Sequence, residues 1–203
     1  MTRAKDEVPG RGVWMHTSMG GRFFPSNPRA DEVRMSDIAN GLALDCRYAG
    51  QGRVDRFYSV AEHSALMALY ALRQGEPEAA YVAHLHDGSE AYLNDLAHAV
   101  KVSVGGGYEK LEARVQRAIW QHFHLQEAAK RHHKYVKDLD RRMVPLEKRA
   151  IMRYSQARAA DVLEPLPDVE VRYLEPAAAK VFFIDTYQDI CRHLGIKPEE
   201  TEI

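Results

Sequence analysis

The order of apolar and polar positions along the chain predicts helices almost throughout. Apolar residues recur at three- and four-residue spacing in six stretches, a pattern typical of helices that bury one face. Strands and helices do not alternate, so the pattern favours an all-α orthogonal helical bundle. The six expected helices run from Ser36, with Ser36-Asp37 as its cap, toward Cys46; from Ser59 to just before Gly75; from Pro77 to about Glu90; from Tyr108 to about His122; over residues 126 to 160; and from Pro176 to Leu194.

The first 35 residues differ from the rest because they are rich in Gly, Pro and Arg and show no sustained periodicity. We expect residues 1–35 to form an irregular arm with short strands, and residues 36–203 to form one helical-bundle domain. The large apolar residues of the arm are Trp14, Met15, Phe23 and Phe24. Side chains of this kind usually pack, either on the domain itself or on a second subunit, and packing on the domain is the favoured use.

The clearest helix start lies at Ser59, because Glu62 three residues later completes a capping box. His63 then falls in the first turn of a helix that is apolar around most of its circumference and should be buried. The next helix is also largely apolar and carries His86 and Asp87 near its end. A buried polar group without a partner costs roughly 2–7 kcal/mol, and one metal ion would satisfy all of these side chains.

Composition limits the choice of partners and compartment. A chain of 203 residues with 45% hydrophobic content suits one domain with a full core, and a net charge of −1 gives no bulk attraction to nucleic acid polymers or anionic membranes. The charged run from Lys130 to Lys134 is more simply interpreted as a solvated face than as an anion site. Cys46 and Cys191 lack CxxC spacing, which indicates a reducing compartment. With no signal peptide and no apolar run near the roughly 20 residues of a membrane span, a soluble cytoplasmic protein is expected.

Adjacent His86 and Asp87 offer an imidazole and a carboxylate from one place, but neighbouring side chains on a helix need further ligands from other segments. His63 lies upstream, and Asp138 and Asp140 lie downstream. Spacing alone also allows His63 to be an ordinary core histidine.

Three short motifs occur in a characteristic order: Glu62-His63-Ser64, then His86-Asp87-Gly88-Ser89-Glu90, then Val136-Lys137-x-x-Asp140. In this order and context they resemble the HD phosphohydrolase superfamily, and in particular its bacterial 5′-deoxynucleotidases and phage dATP triphosphohydrolases. The resemblance covers roughly residues 36 to 160.

The resemblance implies that four residues bind one divalent cation: His63, His86, Asp87 and Asp140. Asp140 is preferred to Asp138 because it matches the last residue of the third motif. Nitrogen ligands favour Zn, Co or Mn, with Mg an option for a second ion at the phosphates. Glu90 matches the acid or base that handles the proton of the attacking water, and the alternative is an exposed carboxylate at a helix end.

Four further residues match substrate contacts of the family. Arg47 and Tyr48 stand where the deoxynucleotidases have an Arg-Trp pair that contacts phosphate and nucleoside. Asp95 matches a carboxylate that binds the sugar 3′-hydroxyl and excludes a 2′-hydroxyl, although Asp is also common as a turn cap. Lys101 matches a phosphate-contacting lysine, although a solvated lysine is the simpler interpretation of that residue alone. Residues 96–100 replace the prolines that the family commonly has here.

The expected function is therefore that of a metal-dependent deoxynucleotide phosphohydrolase. Arg53 and Arg56 favour a dATP or dNTP triphosphohydrolase over a 5′-deoxynucleotidase acting on dNMPs. A di-iron oxygenase on the same scaffold would use additional histidines, and a nucleotide-binding protein with an inactive site is the remaining alternative. The expected partners are a deoxynucleotide and further copies of the chain in a homo-oligomer, with no nucleic acid polymer and no membrane.

Overall fold

The computed structural model describes residues 7–153 and 163–202, and the described chain is mainly helical, which confirms the expected all-α class. The helices are α1 (Met35–Leu44), α2 (Val60–Arg73), α3 (Pro77–Leu85), α4 (Glu90–Leu93), α5 (His98–Ser103), α6 (Gly107–His122), α7 (Gln126–Ile151) and α8 (Pro176–Leu194).

Two of the predicted boundaries were wrong. The helix expected from Pro77 to about Glu90 ends at Leu85, and four residues in turns separate it from α4. The helix expected over residues 126 to 160 ends at Ile151, and residues 154–160 of that prediction lie outside the described residues. By contrast, α8 has the predicted bounds.

The N-terminal arm consists of two small antiparallel hairpins and a 3-10 turn over Ala30–Glu32. Strand β1 (Glu7–Val8) pairs with β2 (Gly12–Val13), and β3 (Met15–His16) pairs with β4 (Arg22–Phe23). The Phe23 ring is fully buried and stacks on the Tyr92 ring of α4, with 3.9 Å between centroids. Phe24 is also buried. These aromatic side chains therefore pack on the chain's own domain, as the sequence favoured.

Helix α2 lies at the centre of the bundle, packed against α1, α3, α7 and α8. Its apolar circumference explains this position, and the predicted burial is confirmed. Ser59 caps the helix by accepting a hydrogen bond from the Glu62 amide. The capping box is only half formed, because the Glu62 carboxylate instead accepts backbone N–H groups of residues 172–174.

The predicted cap of α1 was wrong, since the helix begins at Met35 after an Arg34 that makes no side-chain cap. Asp37 accepts hydrogen bonds from the Ser18 hydroxyl and the Met19 amide, both at 2.8 Å, and so ties the arm to the helix. Gly41 is required where α1 meets α4, because a Cβ at this position would lie 2.5 Å from the Ala91 carbonyl oxygen.

None of the helices that the structure describes combines the length and apolar character of a membrane span. Cys46 and Cys191 are free thiols.

Candidate metal centre

Three helices bring the predicted ligands together. His63 comes from the first turn of α2, His86 from the end of α3 and Asp140 from the middle of α7, and one ligand atom from each lies within 4.8 Å of the others. Asp87, in the turn after α3, places Oδ2 3.2 Å from His86 Nε2 and 3.8 Å from His63 Nε2. Asp138 is exposed on the surface. The structure thus assembles the four preferred residues and leaves out the competing one.

Both imidazoles are held with the same nitrogen directed into the cluster. Nδ1 of His63 lies 2.5 Å from Glu147 Oε1, and Nδ1 of His86 lies 2.7 Å from the Ala83 carbonyl oxygen. A proton on each Nδ1 satisfies these acceptors and leaves Nε2 with a lone pair, the usual state of a metal-binding histidine. Both Nε2 atoms are buried and make no well-aligned hydrogen bond among the described residues, although Asp87 Oδ2 lies 3.2 Å from His86 Nε2 and Asp140 Oδ1 lies 3.3 Å from His63 Nε2. A divalent cation would supply the missing partner, so the residues fit a metal site.

The charges of the cluster also suit a cation. Burial opposes ionisation of Asp87, yet the adjacent His86 and Arg47 hold its pKa below the usual range. Burial likewise opposes ionisation of Asp140, and His63 lowers its pKa. Burial and Arg47 lower the pKa of His63, but Glu147 and the other carboxylates outweigh them and raise it to about 9. A metal ion must therefore displace a proton from His63 when it binds.

Glu147, on α7, is the main functional residue that the sequence reasoning missed. Its carboxylate is fully buried, and besides His63 Nδ1 it accepts hydrogen bonds from the Tyr58 hydroxyl at 2.9 Å and the Tyr48 hydroxyl at 2.7 Å. Arg47 Nη2 lies 3.5 Å away. These donors and cations keep its pKa low despite burial. Glu147 follows Asp140 by seven residues, two helical turns, so its position on the same face of α7 was the available signal.

Arg47 lies inside the cluster. Its guanidinium donates to Asp87 Oδ2 at 3.2 Å and lies 3.7 Å from Asp140 Oδ1, and its side chain is 12% exposed. Arg47 therefore balances the carboxylates and sits beside the position that the ligands define. This placement is compatible with a contact to a substrate phosphate. In the structure, however, the Arg47 guanidinium already pairs with carboxylates of the protein itself.

Tyr48 and Asp95 meet at a strained junction. Tyr48 and Ala49 both have left-handed backbone conformations, with φ of 59° and 51°, and Asn94 has φ 66° with ψ 155°. Such conformations are unfavourable for residues with a Cβ and persist where the surroundings hold them. Here the Tyr48 amide donates to Asp95 Oδ2 at 3.2 Å. The Tyr48 hydroxyl is directed to buried Glu147, not to an open surface, so its predicted contact with a base or sugar has no direct support.

Asp45 is a second residue that the sequence did not single out. Its Oδ2 accepts the Asp95 amide at 2.6 Å and so fixes the loop that carries Asp95. Burial, with the charge of Asp95 adding to it, raises the pKa of Asp45 to about 6.

Glu90 begins α4 and is buried, not an exposed carboxylate at a helix end. Burial and the charges of Asp87 and Asp95 raise its pKa far above the usual range, so it holds a proton at neutral pH. Lys101 Nζ lies 3.7 Å from Glu90 Oε1 but pairs more closely with Glu112, at 2.7 Å. Lys101 is therefore beside the centre, with its charge shared by two carboxylates.

Arg53 and Arg56, which the sequence analysis took in favour of a triphosphate substrate, both make local contacts. Arg53 pairs with Asp55 at 2.8 Å, and Arg56 donates to the Ala150 carbonyl oxygen and the Tyr173 hydroxyl. Both guanidinium groups serve local structure.

Cations instead line a groove between α6 and α7 that opens onto the centre. A cavity of about 320 Å³ has His86, Asp140 and Lys137 in its walls, and a wider cavity of about 740 Å³ continues from it along the two helices. Gln116 joins the groove to the centre, because its side-chain amide donates to the Leu85 carbonyl oxygen and accepts from the Ser89 amide. Four of the five residues from Lys130 to Lys134 are exposed, which confirms the predicted solvated face, and Lys130 and His133 also line the wider cavity.

The fold and the centre together define an all-α protein with a His/His/Asp cluster, built around the buried His63, that is suited to a divalent cation. No family model matches the chain. It is 37% identical over 116 residues to the uncharacterized protein RCAP_rcc00048 of Rhodobacter capsulatus, covering 56% of this chain and 59% of that relative. It is 28% identical over 180 residues to the uncharacterized protein YfdR of Escherichia coli K12, covering 87% of this chain and 95% of YfdR. Neither relative's name states an activity.

Proposed function

We propose that the protein is a metal-dependent phosphohydrolase of the HD superfamily that acts on deoxynucleotides. The observation that carries this proposal is the convergence of the buried His63 and His86 Nε2 atoms, neither in a well-aligned hydrogen bond, with the carboxylates of Asp87 and Asp140. Four protein ligands would leave positions open for water and substrate on a six-coordinate cation, whereas they would close a tetrahedral zinc site.

In this proposal His63, His86, Asp87 and Asp140 hold the cation, and Glu147 orients His63. When bound, a divalent cation activates water toward neutral pKa and polarises a phosphoryl oxygen. The described geometry of the protein supplies the rest: fixed imidazoles, a nearby guanidinium and a protonated carboxyl.

The favoured reaction is hydrolysis of a deoxynucleoside triphosphate to deoxynucleoside and triphosphate. A bond forms between the water oxygen and the α-phosphorus, and the bond from that phosphorus to the 5′-oxygen breaks. The water loses one proton and the 5′-oxygen gains one. Glu90 is suited to supply the latter because burial and the neighbouring carboxylates raise its pKa and favour its protonated form, and it can then take up a proton from water. A 5′-deoxynucleotidase would use the same attack on a monophosphate.

The di-iron oxygenase is less well supported. His122 Nε2 lies 3.0 Å from Glu199, and His132 Nε2 lies 2.7 Å from Glu78, both in contacts outside the centre. Within residues 7–153 and 163–202, no second cluster of His, Cys, Asp and Glu reaches the spacing of the first.

The expected setting is a reducing cytoplasm, consistent with two free cysteines, and the expected assembly is a homo-oligomer. The N-terminal arm gives this assembly less support than the sequence suggested, because Phe23 and Phe24 are buried within the chain.

The function is tested by incubating the purified protein with all deoxy- and ribonucleoside mono- and triphosphates in the presence of Zn, Co, Mn or Mg. We expect metal-dependent release of triphosphate or phosphate, and no turnover with any metal would contradict the proposal. Asp140→Ala should lose bound metal and activity together, whereas Asp138→Ala is the matched control that keeps both. Glu90→Gln should keep the metal and lose roughly 10²- to 10⁴-fold in kcat, as for other proton-transfer residues. Loss of metal from that variant would make Glu90 a ligand.

A further inference from the structure

The groove between α6 and α7 is lined by one face of each helix. Gln116, Arg117 and Trp120 come from α6, and residues at three- and four-residue spacing come from α7, ending at Asp140. The smaller cavity and the wider one share Trp120, Gln116 and His133, so they form one continuous channel. Arg47, Glu90 and Asp95 line neither cavity. A ligand at the centre could therefore extend in two directions, toward Asp95 or along this groove.

The groove is positively charged although the whole chain carries a net charge of only −1. Arg117, Lys130, Lys137 and His133 line it, and Asp140 is its one acidic lining residue. Lys130 pairs with Glu127, which lies outside the lining. Arg117 and Lys137 make no ion pair within the part of the chain that the structure describes. A concentration of one sign of charge in a concave surface attracts the opposite charge.

Two lysines and a histidine of the groove are spaced along the axis of α7. Lys137, His133 and Lys130 precede Asp140 by three, seven and ten residues, which at the helical rise corresponds to about 4.5, 10 and 15 Å. Starting from Asp140, a candidate metal ligand, one basic residue of the groove follows in each successive turn of α7. This order suits a linear polyanion that starts at the centre better than a single compact anion.

We propose that the α6/α7 groove binds the outer phosphates of a nucleoside triphosphate whose α-phosphate lies at the metal centre. This assignment rests on the proposed phosphohydrolase and names its substrate class as triphosphates. Lys137 lies nearest to the β-phosphate, and His133 and Arg117 serve the end of the chain. The nucleoside then lies on the other side of the centre, where Asp95 is.

Inorganic tripolyphosphate tests the groove without requiring turnover. It is titrated calorimetrically into the full chain, with and without bound divalent cation, and inorganic phosphate serves as the short-anion comparison. We expect tripolyphosphate to bind more tightly than phosphate. The double variant Arg117→Ala/Lys137→Ala should weaken tripolyphosphate binding by at least about tenfold, because it removes two charge-assisted contacts.

Lys134→Ala is the matched control, since Lys134 is an exposed lysine on the same helix that does not line the groove. The proposal is overturned if the double variant binds tripolyphosphate as the unmodified protein does, or if Lys134→Ala weakens binding equally. In turnover, the double variant should lower the ratio of kcat/KM for a triphosphate to that for the matching monophosphate. An unchanged ratio would also overturn it.

The two proposals fail separately. Suppose that the protein hydrolyses deoxynucleoside monophosphates but binds tripolyphosphate no better than phosphate. That result would support the proposed hydrolase and reject the proposed phosphate-binding groove. A protein that hydrolyses no nucleotide, yet binds tripolyphosphate in a manner dependent on Lys137, keeps the groove and excludes the hydrolase.

Discussion

Replacing Glu147 with Gln tests whether this buried carboxylate orients the metal centre. The substitution keeps the volume but removes the charge and one acceptor oxygen. In the structure the Glu147 Oε1 atom accepts hydrogen bonds from His63 Nδ1 and the Tyr58 hydroxyl. The Oε2 atom accepts one from the Tyr48 hydroxyl and lies 3.5 Å from Arg47 Nη2. An amide can present oxygen to only one of these two sides and must turn its NH₂ group toward donors on the other.

The size of the effect follows from the groups left unpaired. A buried donor without an acceptor costs about 1–3 kcal/mol, and at least one donor faces the amide NH₂ group in either orientation. With the weakened Arg47 contact, we expect Glu147→Gln to lower the free energy of unfolding by roughly 2–4 kcal/mol. Loss of the partner that orients a metal-binding histidine typically weakens metal affinity by about 10- to 100-fold, or roughly 1.4–2.7 kcal/mol.

Two measurements check this prediction: chemical denaturation for stability and competitive chelator titration for metal affinity. Tyr58→Phe is the control, because it removes one donor and leaves the carboxylate and its bond to His63. That control should keep nearly unmodified metal affinity. If Glu147→Gln binds metal as tightly as the unmodified protein while remaining folded, Glu147 does not orient His63 and its role is structural.

Three other predictions concern the loop and the assembly. Asp95→Ala should keep metal but lower the preference for deoxy- over ribonucleotides, because the residue is proposed to bind the 3′-hydroxyl closely; an unchanged ratio in paired assays would reject this role. Asp45 has a pKa raised by burial from 3.8 to about 6, so the folded state binds its proton more tightly and this carboxyl becomes destabilising as pH rises through that window. Asp45→Asn should therefore gain stability relative to the unmodified protein between pH 4 and 7, by up to roughly 3 kcal/mol, and a pH-independent difference in urea unfolding would refute this. Sedimentation at micromolar concentration should give a homo-oligomer, to which the exposed Val100 and Val102 of α5 and Val104 directly after it contribute apolar surface, and a monomer would contradict it.

Periodicity predicted the long helices well and the short ones poorly. Pro176 and Gly195 bracket α8 with strong start and stop signals, and both ends were predicted. Helices α4 and α5 contain four and six residues, too few for a repeat of three or four to be recognised. The break after Leu85 was missed because the apolar pattern of α3 continues into residues whose conformation is set by tertiary contacts. The Gln116 amide, from another helix, holds that turn on both sides.

Motif order anticipated which ligand candidates meet, but it could not show what orients them. Glu147 and Asp45 act through carboxylate oxygens whose partners are distant in sequence, and the only local signal was the seven-residue spacing of Glu147 from Asp140. The Glu147 carboxylate contacts His63 of α2 and accepts hydrogen bonds from Tyr48 and Tyr58, which lie in the segment before α2. Only the packing of α7 against α2 creates that arrangement.

The charged run from Lys130 to Lys134 on α7 can be interpreted only once the position of the candidate ligand Asp140 is known. Taken as a group, Lys130 to Lys134 is a solvated patch, and composition offers no reason to divide it. Once Asp140 is placed at the centre, helical phase divides the run: His133 and Lys130 return to the face of Asp140 at seven and ten residues, while Lys134 is turned away. The same phase brings Lys137, which the motif comparison treated only as a motif residue, to the mouth of the groove. The position of Asp140 therefore determines which charged residues of α7 are proposed to contact phosphate. Comparing substitutions of Lys137 and Lys134 tests that assignment most directly.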